Sequence, residues 1–250
     1  MENTITFEEI NTVISSFKNN KAPGPDNFKI EIVKELWRIK PEIILNLYNK
    51  CFEQESFPKP WKEARLRVVP KGEERNRTLL SSYMPIALLS VIGKTYEKII
   101  VRRLQHAYRE QGLENPNQLG FRKGKGADDA FIKLKRAVKH SNRKYVIVLF
   151  VDIEGTFDNI CWPAVLTRIT NANCSSRIIN VVKDYFKNRK VTIECIGKKY
   201  SRRMQKGCPQ GSIIGPAAWV WCMDALLNEM HRNRRSIVSR QLRMMTTWRA

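Results

Sequence analysis

Apolar positions along the chain fall into short helical and strand-like periods with few gaps between them. Phe7, Ile10, Val13, Ile14 and Phe17 mark one helix face, and Thr6 with Glu9 has capping-box spacing at its start. "NNKAPGPDNF" stops that helix with two prolines and a glycine, and a second apolar-periodic segment runs from Ile30 to Tyr48 through Trp37, Ile44 and Leu47. "ARLRVVPKG" predicts a short strand ending at Pro70, with Lys71 on a loop. "ALLSVIGKTYEKIIVRRLQHAY" predicts a long helix with a basic polar face. Residues 115–126 (NPNQLGFRKGKG) form a Gly-rich basic loop. The helix expected next, from about Asp128 to His140, buries Phe131, Leu134 and Val138 and turns Lys133, Lys135, Arg136 and Lys139 outward.

Tyr145 to Val151 (YVIVLFV) is continuously apolar, rich in β-branched and aromatic residues, and too short for a helix of its own, so it predicts a buried strand. Asp152 follows it directly, with Glu154 and Asp158 close by and Gly155 free to turn tightly. A carboxylate delivered by a buried strand is paired or holds a metal, because an unpaired buried charge is expensive. Helices are expected near 161–169 and 176–187, then two strands in "VTIECIGKKYSRRMQKG" joined by a Gly-Lys turn. "CPQGSIIGP" is a second Gly/Pro loop, leading into a helix from about Ala217 to Met230. The last twenty residues carry six arginines, no acid and no period, and read as a basic tail over 231–250.

Composition changes this picture in one respect. Forty-five Lys and Arg against 24 Asp and Glu give a formal charge of +21 over 250 residues. Such a surface attracts polyanions, nucleic acid first among them. No apolar run reaches the roughly 18 residues that span a bilayer, and the N-terminus has no signal-peptide pattern. Cysteines 51, 161, 174, 195, 208 and 222 include no CxxC pair, so neither a structural zinc nor a disulfide framework is predicted.

"NNKAPGPDNFKIEIVKELW", "YMPIALLSVIGKTYEKIIVRRL", "NQLGFRKGKGADDAF" and "VLFVDIEGTFDN…KGCPQGSIIGPAAW", in that order, resemble the reverse transcriptase of non-LTR retrotransposons. The resemblance spans about residues 6–230. It implies an α+β right-hand polymerase, with fingers mainly over 1–140 and palm over 141–230, and with the thumb missing. It implies an intracellular protein, nuclear at its site of action, that takes an RNA template, a DNA primer and deoxynucleoside triphosphates and has no membrane partner.

Nucleotide addition in that family uses two divalent ions about 3.5–4 Å apart, held by carboxylates from more than one segment. By resemblance Asp152 is the first metal-binding and catalytic acid, and the Ile153 carbonyl adds an oxygen suited to Mg²⁺. Phe157 occupies the steric-gate position, where a ring would crowd a ribose 2′-hydroxyl; core packing is its alternative. Gln210 and Gly211 match the loop lining the incoming nucleotide, and Lys71 matches a fingers lysine that meets the triphosphate, or is a solvated loop lysine. Arg122, Lys123 and Lys125 are the candidates for template or phosphate contact. Asp158 is expected to cap the turn or the following helix.

Two departures from the family pattern stand out. Met84 in "YMPI" replaces an arginine, and with it a phosphate-gripping fork. The aromatic-led Asp-Asp hairpin that supplies the partner carboxylates is missing, and Asp128-Asp129 at a helix start does not replace it. Met244-Met245-Thr246 must be encoded ATG ATG ACN, which shifted by two bases reads GAT GAC, or Asp-Asp. A frameshift between about 231 and 243 is therefore the expectation for the tail, with coincidence or a sequencing or gene-model error as its alternatives. Two functions follow: a fragment of a metal-dependent RNA-directed DNA polymerase, expected to be inactive as this isolated chain, or a non-catalytic remnant that binds nucleic acid.

Overall fold

The computed structural model describes residues 4–232 apart from Glu73 and Arg75. The tail over 233–250, with the Met244-Met245-Thr246 string, lies outside the described residues. Eight α-helices and a four-stranded sheet make up the described part, an α+β arrangement.

Helix α1 (Phe7–Ser15) starts where the capping box places it: the Thr6 hydroxyl accepts from the Glu9 N–H, and the Glu9 carboxylate accepts from the Thr6 N–H. Ile10, Val13 and Ile14 point into the core. The apolar segment beginning at Ile30 is two helices, α2 (Ile30–Ile39) and α3 (Pro41–Glu53). Pro41 supplies no N–H to continue α2 but suits the first turn of α3, so the chain breaks at Lys40.

Strand β1 (Glu63–Pro70) stops at its proline as expected, and pairs antiparallel with β2 (Tyr83–Leu89). The sequence pattern had merged the end of β2 with the next helix. Ser90 separates them: its hydroxyl accepts from the Gly93 N–H and starts α4 at Val91, running to Glu110. Pro85 is tolerated because β2 is an edge strand in the order β2-β1-β3-β4. Gly24 packs against that junction, where a Cβ would lie 2.4 Å from the Leu89 carbonyl carbon, so "KAPGPD" is fixed across the start of α4.

Helix α5 (Ala127–Lys139) forms, but its apolar face is not covered. Phe131 is 67% and Val138 42% exposed, against the expected burial. Helices α6 (Trp162–Asn171) and α7 (Ser176–Phe186) lead to β3 (Lys190–Cys195), which lies parallel to β1, and to β4 (Lys198–Arg203), antiparallel to β3. Helix α8 (Ile214–Arg232) ends the described chain. The core lies among α1–α4 and α6–α8, around a knot of Tyr48, Phe57, Trp61, Tyr96 and Tyr185. Tyr48 and Tyr96 stack at 5.6 Å, and the Tyr48 hydroxyl donates to the Ile92 carbonyl, which satisfies its one polar atom.

The main correction concerns Tyr145–Val151. This segment is not a strand, and Ile147 is 94% and Phe150 80% exposed. Apolarity makes a run seek burial but does not supply a neighbour. No strand among the described residues pairs with it.

Candidate functional site

Asp152 is exposed, and its Oδ1 accepts from the Ile153 N–H at 2.9 Å. The Ile153 carbonyl accepts from the Thr156 hydroxyl at 3.1 Å. The chain then turns through 154–159. Gly155 has φ +62, and the Asn159 N–H donates to its carbonyl. Asn159, not Asp158, locks this turn, donating to the Glu154 carbonyl and accepting from Lys206. The N-cap of α6 is Cys161, which corrects the capping role expected of Asp158.

This acidic turn is stapled to the "KGCPQGS" loop. The Gly207 N–H donates to the Ile160 carbonyl and the Cys208 N–H to the Phe157 carbonyl, both at 2.8 Å. The Trp162 indole donates to the Gly207 carbonyl at 2.7 Å. The Phe157 ring is half-buried, meeting Phe121 edge-on at 5.7 Å and seated beside Gly215 at the start of α8. Asp152's turn, Phe157 and the Gln210–Gly211 loop are thus one assembly.

The loop's other side rests on β2. The Ala87 N–H donates to the Gln210 carbonyl at 2.7 Å, and Gly211, at φ +124, approaches so closely that a Cβ would lie 2.6 Å from the Ala87 carbonyl oxygen. Lys94 Nζ stands 4.0 Å from the same point. Burial lowers the pKa of Lys94, against the upward pull of Glu97.

Glu97 is the residue that the sequence pattern did not single out. It is 1% exposed, and its Oε2 accepts from the Ser212 hydroxyl (2.9 Å), the Ile213 N–H (2.8 Å) and the Ile214 N–H (3.3 Å). An anion at a helix N-terminus satisfies donors that the helix leaves unpaired, and here it anchors the segment after the Gln210–Gly211 loop to α4. Tyr185 shares Ser212 at 2.7 Å, and the buried Arg189 guanidinium lies 4.1 Å from the Tyr185 ring centroid. Glu97→Ala is expected to lower stability by about 2–3 kcal/mol, since the Ser212 hydroxyl and the Ile213 and Ile214 N–H groups lose a shared acceptor. Urea unfolding measures this; a change within about 0.5 kcal/mol, the range of ordinary surface substitutions, would contradict the anchoring role.

The remaining residues lie apart. Lys71 is exposed at the end of β1, five residues past Leu66, the partner of Ala87. That is roughly 17 Å along the strand at about 3.4 Å per residue. Lys123 and Lys125 are exposed. Arg122 is instead engaged by carboxylates, with Asp224 and Glu114 each at 2.6 Å and Asp224 fully buried. Burial raises the Asp224 pKa, and Arg122 pulls it back down. Among the described residues no group of three His, Cys, Asp or Glu could hold a metal ion, and no helix is long and apolar enough to cross a membrane.

Residues 69–241 match the family described as reverse transcriptase (RNA-dependent DNA polymerase). The chain is 36% identical over 225 residues to the Pol polyprotein of the type-1 retrotransposable element R1 of Bradysia coprophila, covering 89% of this chain and 22% of that protein. It is 35% identical over 222 residues to the 115 kDa protein of element R1DM of Drosophila melanogaster, covering 89% and 21%. It is 28% identical over 221 residues to the RNA-directed DNA polymerase of the mobile element jockey of Drosophila melanogaster, covering 86% and 24%. The chain spans about a fifth to a quarter of the length of these relatives.

Proposed function

This chain belongs to the reverse transcriptase (RNA-dependent DNA polymerase) family, and from that premise we propose that it is the fingers and palm of a non-LTR retrotransposon polymerase that cannot extend a primer by itself. The observation that carries this reading is the state of Asp152. Its turn, the Phe157 ring and the Gln210–Gly211 loop are joined by backbone hydrogen bonds and close contact, the arrangement that selecting and seating a deoxynucleotide requires. The acid itself stands exposed beside an unpaired apolar segment.

The family generally uses divalent metal ions, and Mg²⁺ bound by Asp152 and the Ile153 carbonyl would activate a primer hydroxyl and neutralise a triphosphate. The described residues do not fit a pair of such ions, because two cations held apart need carboxylates from more than one segment and no group of three His, Cys, Asp or Glu comes together among them. Phe157, seated against Phe121 and Gly215, is assigned to exclusion of a 2′-hydroxyl. Lys94 beside Gly211 supplies a cation near the nucleotide loop. RNA template, DNA primer and deoxynucleoside triphosphates are the proposed partners, with Lys123 and Lys125 on the nucleic-acid side.

Primer extension on an RNA template with Mg²⁺ tests the reading. The 250-residue chain is expected to show no more extension than Asp152→Asn. Extension by the chain that is lost in Asp152→Asn would overturn the inactivity and restore the full polymerase. The +21 charge supports retained nucleic-acid binding in either case. If roughly 6–10 phosphates are engaged, affinity falls about 10³–10⁵-fold between 50 and 200 mM salt.

The same proposal includes a shift of reading frame before Met244. The family match continues to residue 241, which supports a point late in the 231–243 interval. Coding DNA that, in the shifted frame, does not continue as an aromatic–X–Asp–Asp segment would refute it.

A further inference from the structure

The β3–β4 hairpin is built in a way that folding alone does not favour. Only Lys190, Val191 and Thr192 of β3 pair with β1, so the distal half, from Ile193 to Tyr200, extends past the sheet as a free two-stranded ribbon. All six residues of β4 are exposed, and four of them are cations. Lys190 and Arg203 face one another directly across the pair, a juxtaposition of like charges that opposes pairing. The ribbon carries one acid, Glu194, opposite Lys199.

The tip departs further from what a hairpin needs. The turn is Ile196-Gly197, one residue earlier than the Gly-Lys turn expected, with φ +50 at Ile196 and +68 at Gly197. Two central residues at positive φ suit Asn-Gly or Gly-Gly. A β-branched residue there is an outlier. Ile196 is also 96% exposed, so neither packing nor backbone preference accounts for it. A strained, exposed apolar side chain at the head of a row of cations on β4 matches one ligand chemistry: a line of phosphates beside an apolar stack. Proteins that bend DNA from the minor groove insert Ile, Leu, Phe or Pro into a base step in this manner.

We propose that the β3–β4 ribbon is a duplex-DNA-binding arm, in which Lys198, Lys199, Arg202 and Arg203 meet the phosphates bordering the minor groove and Ile196 wedges into a base step. The arm is separate from the acidic turn and its nucleotide loop, and its binding requires no nucleotide addition. A failure of the arm is therefore distinguishable from a failure of the polymerase reading.

The test uses the whole chain and a short AT-rich DNA duplex carrying 2-aminopurine, whose fluorescence rises when its stack is opened. Ile196→Asn suits the positive φ, so its melting temperature should equal or exceed that of the parent. It should nevertheless abolish the fluorescence rise and weaken binding about tenfold, or about 1.4 kcal/mol. Lys199→Gln with Arg202→Gln should keep the fold and reduce the slope of log affinity against log salt by about two, at roughly 0.9 per phosphate. Parent-like fluorescence and affinity in Ile196→Asn, or an unchanged salt slope in the double variant, would overturn the proposal. So would vesicles of anionic phospholipid whose binding is lost in Ile196→Asn while duplex binding is untouched, which would assign the arm to a membrane surface.

Discussion

Arg122→Gln is expected to destabilise this fold by about 3–5 kcal/mol, the usual result of removing one partner from a buried ion pair. Asp224 is fully buried on α8, and Arg122 reaches it and Glu114 at 2.6 Å each. Without the guanidinium, Asp224 keeps its desolvation cost and loses its compensating charge. Burial already raises its pKa against the pull of Arg122, so the variant should raise it further. An acid whose folded pKa lies above its unfolded value loses stability as pH rises through the folded pKa. The deficit in Arg122→Gln should accordingly shrink as pH falls through the raised pKa of Asp224. Urea unfolding across that range measures both effects, and Asp224→Asn in the Arg122→Gln background should recover a large part of the loss. If Arg122→Gln instead folds like the parent and only reduces the salt slope of RNA binding, Arg122 is a phosphate contact and its ion pairs are incidental.

Arg122 also shows what a sequence can and cannot reveal. Its place in a basic, Gly-rich loop suggested a polyanion contact, because Lys123 and Lys125 follow it closely. The signal for the other role was Asp224, the only charge between Pro216 and Asn228 in an otherwise apolar helix segment. A lone acid there needs a partner, but nothing local names it from 102 residues away. Glu97 was hidden differently, as one acid in a helix segment that also carries Lys94 and Lys98. Only the approach of the α8 N-terminus makes it an anchor.

Features fixed within a few residues were legible: the Thr6–Glu9 box, the stop at Pro70, and the tight turn at Gly155. Features that depend on a distant neighbour were not. Tyr145–Val151 and the Phe131 face of α5 carry the apolar signal of buried elements and remain exposed. The Ile30–Tyr48 segment is an intermediate case, since a single proline turned one apolar period into two helices. The pairing of the acidic turn with the Gln210 loop was implied by resemblance alone, because their hydrogen bonds join two segments some fifty residues apart in sequence.

Gly207→Ala tests that pairing directly, and it should cost about 3–4 kcal/mol, against about 1 kcal/mol for Gly197→Ala. Both glycines have positive φ, +77 and +68, so both substitutions incur the penalty of a left-handed backbone. They differ in space. A Cβ at Gly197 meets nothing within 4 Å, whereas at Gly207 it would lie 2.5 Å from the Asp158 carbonyl oxygen and 2.8 Å from that of Phe157. These are backbone atoms and cannot swing aside, so the loop must withdraw from the acidic turn. Withdrawal breaks the bonds from Gly207 N–H to Ile160 and from Cys208 N–H to Phe157, and pulls the Gly207 carbonyl from Trp162. Two measurements separate local from global loss: urea unfolding of both variants, and amide exchange at positions 207 and 208. Faster exchange there in Gly207→Ala, with Gly197→Ala unchanged, is the expected result. Equal costs for the two substitutions would mean that the acidic turn and the Gln210–Gly211 loop are not held together by this crossing, and that Phe157 takes its position from Phe121 and α8 alone.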